Sequence, residues 1–395
     1  NAISSQSLGA RFLGEQVKVD LAQAEDEEYS VVAKITGPVT AEAIIGELGV
    51  PLEGLISGAT DYEARVLFPR GKREIPQPLT IQIDSDLAGL GFAFPEPVNK
   101  SEDSILQIRG DIRFMPGGEV IESAGFAETP LAWQLAFNKA DDTWDFDRGV
   151  VTLGRDVLQP AETRGLHIRG NTDTVRLDDW LNLSRSGETK VGAADRIRSI
   201  ELDIADLYAI GQRVEGHRVR VDRNARDWVV QVSGEDLSGS IFVPYDFDAG
   251  REMVIDMERM RLPGDDTASG DPATLDPRGL PPITVTAADF ALGERSFGAL
   301  DARIERVANG LSATSISTRD DSFDFNVTGR WVVDEADSLG SRTYATGTLT
   351  SRDVMRSMNR LDFEPGIVSD AMTASFDVNW SGGPRADFLD VLDGE

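Results

Sequence analysis

Cysteine is absent from all 395 residues, which removes disulfides, thiolate metal sites and cysteine nucleophiles together. Histidine occurs only as His167 and His217, each in a strand-like run beside arginines and without carboxylates at ligand spacing. Both read as surface or turn residues, and no metal or other cofactor is expected. Long hydrophobic runs are missing as well. The longest, Leu207 to Ile210, falls far short of the roughly 20 apolar residues of a spanning helix. Basic charge is scarce: 39 Lys and Arg face 68 Asp and Glu, a net charge of −29. That balance argues against nucleic acid and against a broad anionic surface as partners, because either needs a basic face. The first residue is Asn1 and no leader precedes it, so the chain reads as a segment of something longer, with any membrane anchor outside it.

What the sequence has in quantity is alternation with period two, the mark of strands showing different chemistry to their two faces. Ser322 to Gly329 sets Phe323, Phe325 and Val327 against Asp324, Asn326 and Thr328, and Thr373 to Trp380 sets Phe376, Val378 and Trp380 against Asp377 and Asn379. Ile81 and Ile83, Trp133, Leu135 and Phe137, Trp228, Val230 and Val232, and Val219 and Val221 repeat the pattern. Turn-formers such as Gly71, Gly117-Gly118, Asn309-Gly310 and Gly382-Gly383 separate the runs. The expected fold is mainly β, a long twisted antiparallel sheet with a few short helices. Helical pattern appears at Thr40 to Leu48, with Thr40 as N-cap, at Thr350 to Leu361, opened by Thr350 or Ser351, and weakly at Leu177 to Leu183. Residues 264–279, rich in Asp, Gly, Pro, Ser and Thr, form the one clear linker. The expected organisation is therefore 1–100 with a helix near 40–49, 101–263, the linker 264–279, and 280–395 with a helix near 350–362. Such a sheet must hide its apolar side by closing into a barrel, by packing on a second sheet, or by covering itself with ligand.

Several segments resemble the YhdP family of AsmA-like envelope proteins. Ile83 to Lys100, IDSDLAGLGFAFPEPVNK, is similar to the family's SDL-G-LP-P-K signature, with Phe94 where leucine is usual. Gly165 to Leu183, Leu237 to Pro263, Leu280 to Trp331 and the NWSGGP of Asn379 to Pro384 resemble further family segments in the same order and spacing. The resemblance implies a periplasmic protein tethered to the inner membrane, in which the sheet curls into an open apolar groove. Its partners would be phospholipid acyl chains, the inner membrane through an anchor outside this segment, and the outer membrane or its proteins. The function so implied is carriage of phospholipid between the two membranes and support of the outer-membrane barrier.

Under that reading the candidate lining is Ile81, Ile83, Trp133, Leu135, Phe137, Trp228, Val230, Val232, Phe323, Phe325, Val327, Phe376, Val378 and Trp380. The same alternation is what the dry core of a structural scaffold or adhesin produces, so that alternative stands beside the groove. Trp180 and Trp331 read as structural plugs. No catalytic residue is expected. GxSxG, P-loop and dinucleotide-binding patterns are absent, and with 68 acids the pairing of any two has no specificity for glycoside hydrolysis. Asp141, Asp142, Asp145 and Asp147 lack the glycine and distal glutamate of a calcium loop and read as a solvated loop. Arg70, Lys72 and Arg73 read as a solvated turn, and Gly89 to Gly91 as a turn too short to cradle phosphate.

Overall fold

A computed structural model of the chain describes residues 5–48, 54–71, 75–128, 131–140, 143–154, 157–177, 179–180, 196–209, 212–245, 250–263, 276–364, 366, 368–384 and 393–394. Of the described residues, 66% are strand and 6% helix, the mainly β class that period-two patterning requires. It divides into two compact units, Asn1–Thr172 with Asp179–Leu202, and Asp173–Asp178 with Asp203–Glu395.

The first eleven strands are β1 (Ser5–Phe12), β2 (Glu15–Gln23), β3 (Tyr29–Thr40), β4 (Ile56–Pro69), β5 (Leu79–Ser85), β6 (Leu90–Phe92), β7 (Ile108–Phe114), β8 (Val120–Ala127), β9 (Leu131–Ala140), β10 (Thr143–Leu153) and β11 (Gly165–Arg176). Each pairs with its predecessor, except that β6 pairs with the first residues of β4 while β5 passes directly to β7. β12 (Ile197–Ala209) follows in the chain. The second unit then runs through β13 (Gln212–Arg223), β14 (Asp227–Ser233), β15 (Leu237–Pro244), β16 (Met253–Leu262), β17 (Ile283–Leu292), β18 (Arg295–Val307), β19 (Gly310–Arg319), β20 (Phe323–Val333), β21 (Ser341–Ser351), β22 (Met372–Ser381) and the short β23 (Asp393–Gly394).

The expectation of a wholly antiparallel sheet needs one correction. β10 pairs with β11, and β16 with β17, in parallel. A hairpin cannot make that step, because the chain must return to the end it started from and needs a crossover of about a dozen residues. Residues 154–164 and 263–282 supply the two returns. The Gly- and Pro-rich stretch 264–279 therefore lies within a crossover between two directly paired strands. Of that stretch, 264–275 fall outside the described residues, and Pro277–Gly279 form a single 3-10 turn capped by the Asp276 carboxylate.

Two helices close strand ends. α1 (Ala41–Leu48) starts where Thr40 Oγ1 accepts the Ala43 N–H at 3.2 Å, as the sequence predicts. Ala41 joins Leu87 and Leu90 in a buried cluster that Ile44, Ile56, Phe92, Leu106 and Ile108 pack against. α2 (Val354–Arg360) begins later than Thr350 or Ser351, both of which end β21. The cap is Asp353, whose Oδ1 accepts the Arg356 N–H at 3.0 Å, and the Ser351 hydroxyl is taken by the Asp353 N–H and by Ser357. The weak helix at Leu177 to Leu183 lies largely outside the described residues.

The Ile83–Lys100 signature is a pinned loop. Lys100 Nζ donates to the carbonyls of Leu90, Ser101 and Ser104 at 2.7, 3.1 and 2.7 Å, Ser85 Oγ donates to the Asp61 carbonyl, and Gly58 and Gly89, both at positive φ, meet backbone to backbone. A Cβ at Gly89 would strike the Ala59 carbonyl, which is why only glycine serves there.

Candidate functional site

Strand register decides which side chains share a face. In the first unit one row crosses ten strands: Leu8, Val19, Ile35, Ala64, Ile83, Gly110, Gly125, Trp133, Val151 and Ile168. In the second unit a row of the same kind runs through Val221, Val230, Ile241, Ile255, Val285, Ala302, Ile316, Val327, Gly347 and Phe376. One residue over, on the opposite face, stand Arg220, Gln231, Ser240, Asp256, Thr286, Asp301, Ser317, Asn326, Thr348 and Ser375. One face of the ladder is hydrocarbon and the other is hydrated, and a one-residue slip would exchange them.

The five sequence candidates of the first unit, Ile81, Ile83, Trp133, Leu135 and Phe137, fall on its apolar face. The nine of the second unit fall on one face of that unit. Their exposure is uneven. Phe323, Val232 and Trp380 are buried at 0%, 6% and 7%, while the other eleven keep partial solvent access. A core sealed by a second layer would bury most of them. Instead, complete burial is local: Phe323 pairs with Ser351 just before α2, whose Val354 is also fully buried, and Trp380 Nε1 donates to the Gly383 carbonyl at 2.9 Å.

Large side chains lie down across glycines on the neighbouring strands. The Trp133 indole covers Gly110 and Gly125, with Nε1 donating to Ser123 Oγ at 3.2 Å, and the Phe376 ring covers Gly347. Phe376 thereby reaches over β21 to stack on Phe325 at 5.5 Å, and the contact continues through Phe297 at 6.2 Å to Phe290 at 5.5 Å. A continuous row of rings thus paves the apolar face from β17 to β22. Sequence reading missed Phe290 and Phe297, because left-handed Gly298 and the irregular register around it break the period of two in β17 and β18.

The opposite face carries ion pairs, including Lys34–Glu63 at 2.7 Å, Arg109–Asp84 at 2.6 Å and Arg218–Asp203 at 2.6 Å. The Lys34 hydrogen bond is the main reason the Glu63 carboxyl titrates below its ordinary value, and the Arg218 hydrogen bond does the same for Asp203. Exposed pairs of this type add little stability each. They keep that face wet.

Several expectations about polar residues are corrected. His167 and His217 are buried, not surface residues. His167 Nδ1 lies 2.7 Å from Ser199 Oγ and Nε2 3.0 Å from Thr163 Oγ1, and His217 Nε2 accepts the Leu237 N–H at 3.1 Å. Gly234 leaves the hole that the His217 ring fills, and burial pushes that imidazole below its ordinary pKa. Asp145 and Asp147 belong to β10 instead of a loop, and Asp147 is buried between Arg164 at 2.7 Å and Arg148 at 2.8 Å. Asp141, Asp142, Lys72 and Arg73 lie outside the described residues, while Arg70 Nε donates to the Tyr29 carbonyl at 2.8 Å. Trp180 Nε1 donates to the Glu96 carbonyl at 3.0 Å and Trp331 Nε1 to Ser341 Oγ at 3.1 Å, so both fasten backbone or turns. Among the described residues, no group of His, Asp and Glu is arranged to hold a metal ion, and no helix is long and apolar enough to cross a membrane.

Asp320 ties α2 to β19 and β20. Its carboxylate accepts from Ser322 N at 2.9 Å and Ser322 Oγ at 2.7 Å, and from Arg360 Nη2 at 2.7 Å. Burial opposes its ionisation, but the Ser322 and Arg360 hydrogen bonds outweigh it and hold the pKa below 3.8. A carboxyl lowered on folding stabilises fully above its unfolded value, and that contribution is lost as pH falls through the folded one. As pH falls below about 5, the parent should therefore lose more melting temperature than Asp320→Asn. Scanning calorimetry of the two proteins checks this, and equal losses would deny Asp320 the role.

The family model for the YhdP protein matches residues 1–395, the whole chain. No curated protein and no solved structure matches.

Proposed function

Since this chain belongs to the YhdP family, we propose that it is the lipid-bearing part of a bacterial envelope protein, a trough that holds phospholipid acyl chains as they pass between inner and outer membranes. The observation that carries the reading is the pair of ten-strand apolar rows, one in each unit, most of whose large side chains keep partial solvent access.

Each CH₂ kept from water is worth roughly 0.8 kcal/mol, so a phospholipid crossing an aqueous gap unaided meets a large barrier. A row of apolar side chains crossing ten strands at about 4.8 Å spacing extends roughly 43 Å. That exceeds the roughly 15 Å depth of one bilayer leaflet's hydrocarbon, so each unit offers a tail a continuous apolar path. The contact is non-directional, which fits a cargo that must slide, and no single side chain is indispensable. The fourteen sequence candidates serve here as hydrocarbon contacts. The family belongs to transport, and nothing in the proposed action needs a catalytic group, a metal or a cofactor. The setting is the periplasm, with the inner membrane reached through an anchor elsewhere in the protein and the outer membrane or its proteins at the far end, in support of the outer-membrane barrier.

Chloroform–methanol extraction of the chain purified without detergent, followed by mass spectrometry, is the direct test. Phospholipid in stoichiometric amount is expected. Protein that carries no phospholipid and takes none from vesicles would sink the proposal in favour of a structural scaffold or adhesin with a dry core.

A further inference from the structure

We infer that Arg295 receives the oxyanion of an amphiphile whose hydrocarbon lies along the ring row of the second unit, an inference that rests on the lipid-trough reading and adds a head-group contact to it. Arg295 opens β18 at the tight hairpin with β17, directly opposite Leu292, which pairs in turn with Leu262. Two residues from Leu292 stands Phe290, which packs on the Met257, Ala287, Leu300 and Ala302 cluster. Two residues from Arg295 stands Phe297, stacked on Phe290. Leu292 and Arg295 are the last register pair of the hairpin and the Phe290–Phe297 stack follows within it, so the guanidinium sits at the strand end where the ring row begins.

Its surroundings are unusual for this chain. Acids outnumber bases 68 to 39, and comparable half-buried arginines have found carboxylates, Arg213 on Asp206 at 2.7 Å and Arg342 on Asp337 at 3.3 Å. Arg295 has no carboxylate partner among the described residues, and its Nε is covered without any hydrogen-bond acceptor. The neighbour it does have is the Phe363 ring, 5.9 Å from the guanidinium carbon, on the segment that leaves α2. Phe363 itself is half exposed and forms a lip beside the cation. The next candidate cation, Arg360, is already held by Asp320.

A covered donor with no acceptor is rare in folded proteins and calls for an explanation. The Nε itself is covered, so an incoming oxyanion would be met by the rest of the guanidinium, on a residue that keeps partial solvent access. The guanidinium is a planar fork that matches a phosphate or carboxylate, and beside aromatic rings, partly out of water, such a pair is stronger than at an open surface. The net charge of −29 disfavours free small anions near the protein. An anion joined to a tail is different, because the rings from Phe290 to Phe376 hold the tail while Arg295 meets the head.

Binding of dodecyl phosphate, dodecanoate, uncharged dodecyl maltoside and inorganic phosphate to the intact chain, each below its micelle concentration, provides the test. Parent protein should bind both anionic amphiphiles. Arg295→Gln should weaken them by about tenfold, the worth of one charge-assisted contact, and leave dodecyl maltoside unchanged. Arg295→Lys, which keeps the charge, should retain most of the difference. Parent binding of dodecyl phosphate should also fall with added salt while that of dodecyl maltoside does not, a readout that needs no variant. Unchanged dodecyl phosphate affinity in Arg295→Gln, with dodecyl maltoside still bound, would overturn the head-group contact alone. Failure of the parent to bind any amphiphile would overturn the trough and this inference together. Arg295-dependent binding of inorganic phosphate as tight as that of dodecyl phosphate would make this a site for free phosphate and overturn the amphiphile.

Discussion

Aspartate at Phe325 and Val378 together should abolish lipid photocrosslinking to the second unit while leaving circular dichroism and cooperative melting in place, whereas aspartate at Phe323 alone should unfold that unit. All three positions share one face, yet Phe323 is fully buried and the other two are not. A carboxylate at Phe323 would need to shed its water with no partner at hand, a penalty of more than about 4 kcal/mol that also empties the space of a phenyl ring. At Phe325 and Val378 the charge can reach solvent at the open side of the face. The structural cost there is about 1 kcal/mol per site, but hydrocarbon is repelled from the middle of the ring row. Crosslinking from a lipid carrying a diazirine in its tail reads the first effect, and thermal unfolding reads the second. Equal destabilisation at all three positions would mean that this face is sealed throughout, and the trough would fail with it.

The contrast between these positions also marks how far the sequence was legible. Alternation locates the strands, because a chain that repeats hydrophobic and polar residues with period two can satisfy both faces only when extended. Ser322 to Gly329 and Thr373 to Trp380 accordingly lie within or across the bounds of β20 and β22. It also assigns the candidate residues of each unit to one face, since parity survives wherever the strand has no bulge. It does not tell Phe323 from Phe325, because burial at the start of β20 involves residues about thirty positions on, Ser351 paired with Phe323 and Ser357 donating to the Ser322 carbonyl. It fails at Phe290 and Phe297, where the broken register shifts parity. The parallel steps were hidden for another reason: the composition of 264–279 reports a connection between elements, and the same composition serves a domain linker and a crossover equally well. His217 and Asp147 were misjudged because burial of a polar side chain depends on a partner that local sequence does not contain, a glycine hole beside Gly234 in one case and the Arg164 guanidinium in the other. The glycines were the least legible feature. Gly110, Gly125 and Gly347 look like strand weaknesses in the sequence, yet each is where a large ring from a neighbouring strand comes to rest.

Those glycines set how low the large rings lie on the apolar face, and Gly125→Val measures how much. A Cβ at Gly125 would collide with Trp133 Cζ2 and stand 2.5 Å from the Arg109 carbonyl, while one at Gly110 would stand 2.9 Å from the same indole. The tryptophan could escape only by rising off the floor, which breaks its 3.2 Å bond to Ser123 and lifts a bicyclic ring into the space a tail would occupy. The backbone clash has no such escape, because Gly125 is paired between Gly110 and Trp133 and the ladder on both sides is hydrogen-bonded. Overpacking with an added backbone shift should cost about 3 kcal/mol or more, lowering the melting temperature by about 6 °C or more for a unit of this size. A second substitution, Trp133→Ala, separates the two clashes in a double-mutant cycle. Removing the indole should return the ring's share of the loss and leave the carbonyl's share. A Gly125→Val protein that melts within a degree of its parent would show that the indole does not rest on that glycine, and the low floor on which hydrocarbon is supposed to lie would be gone from the first unit.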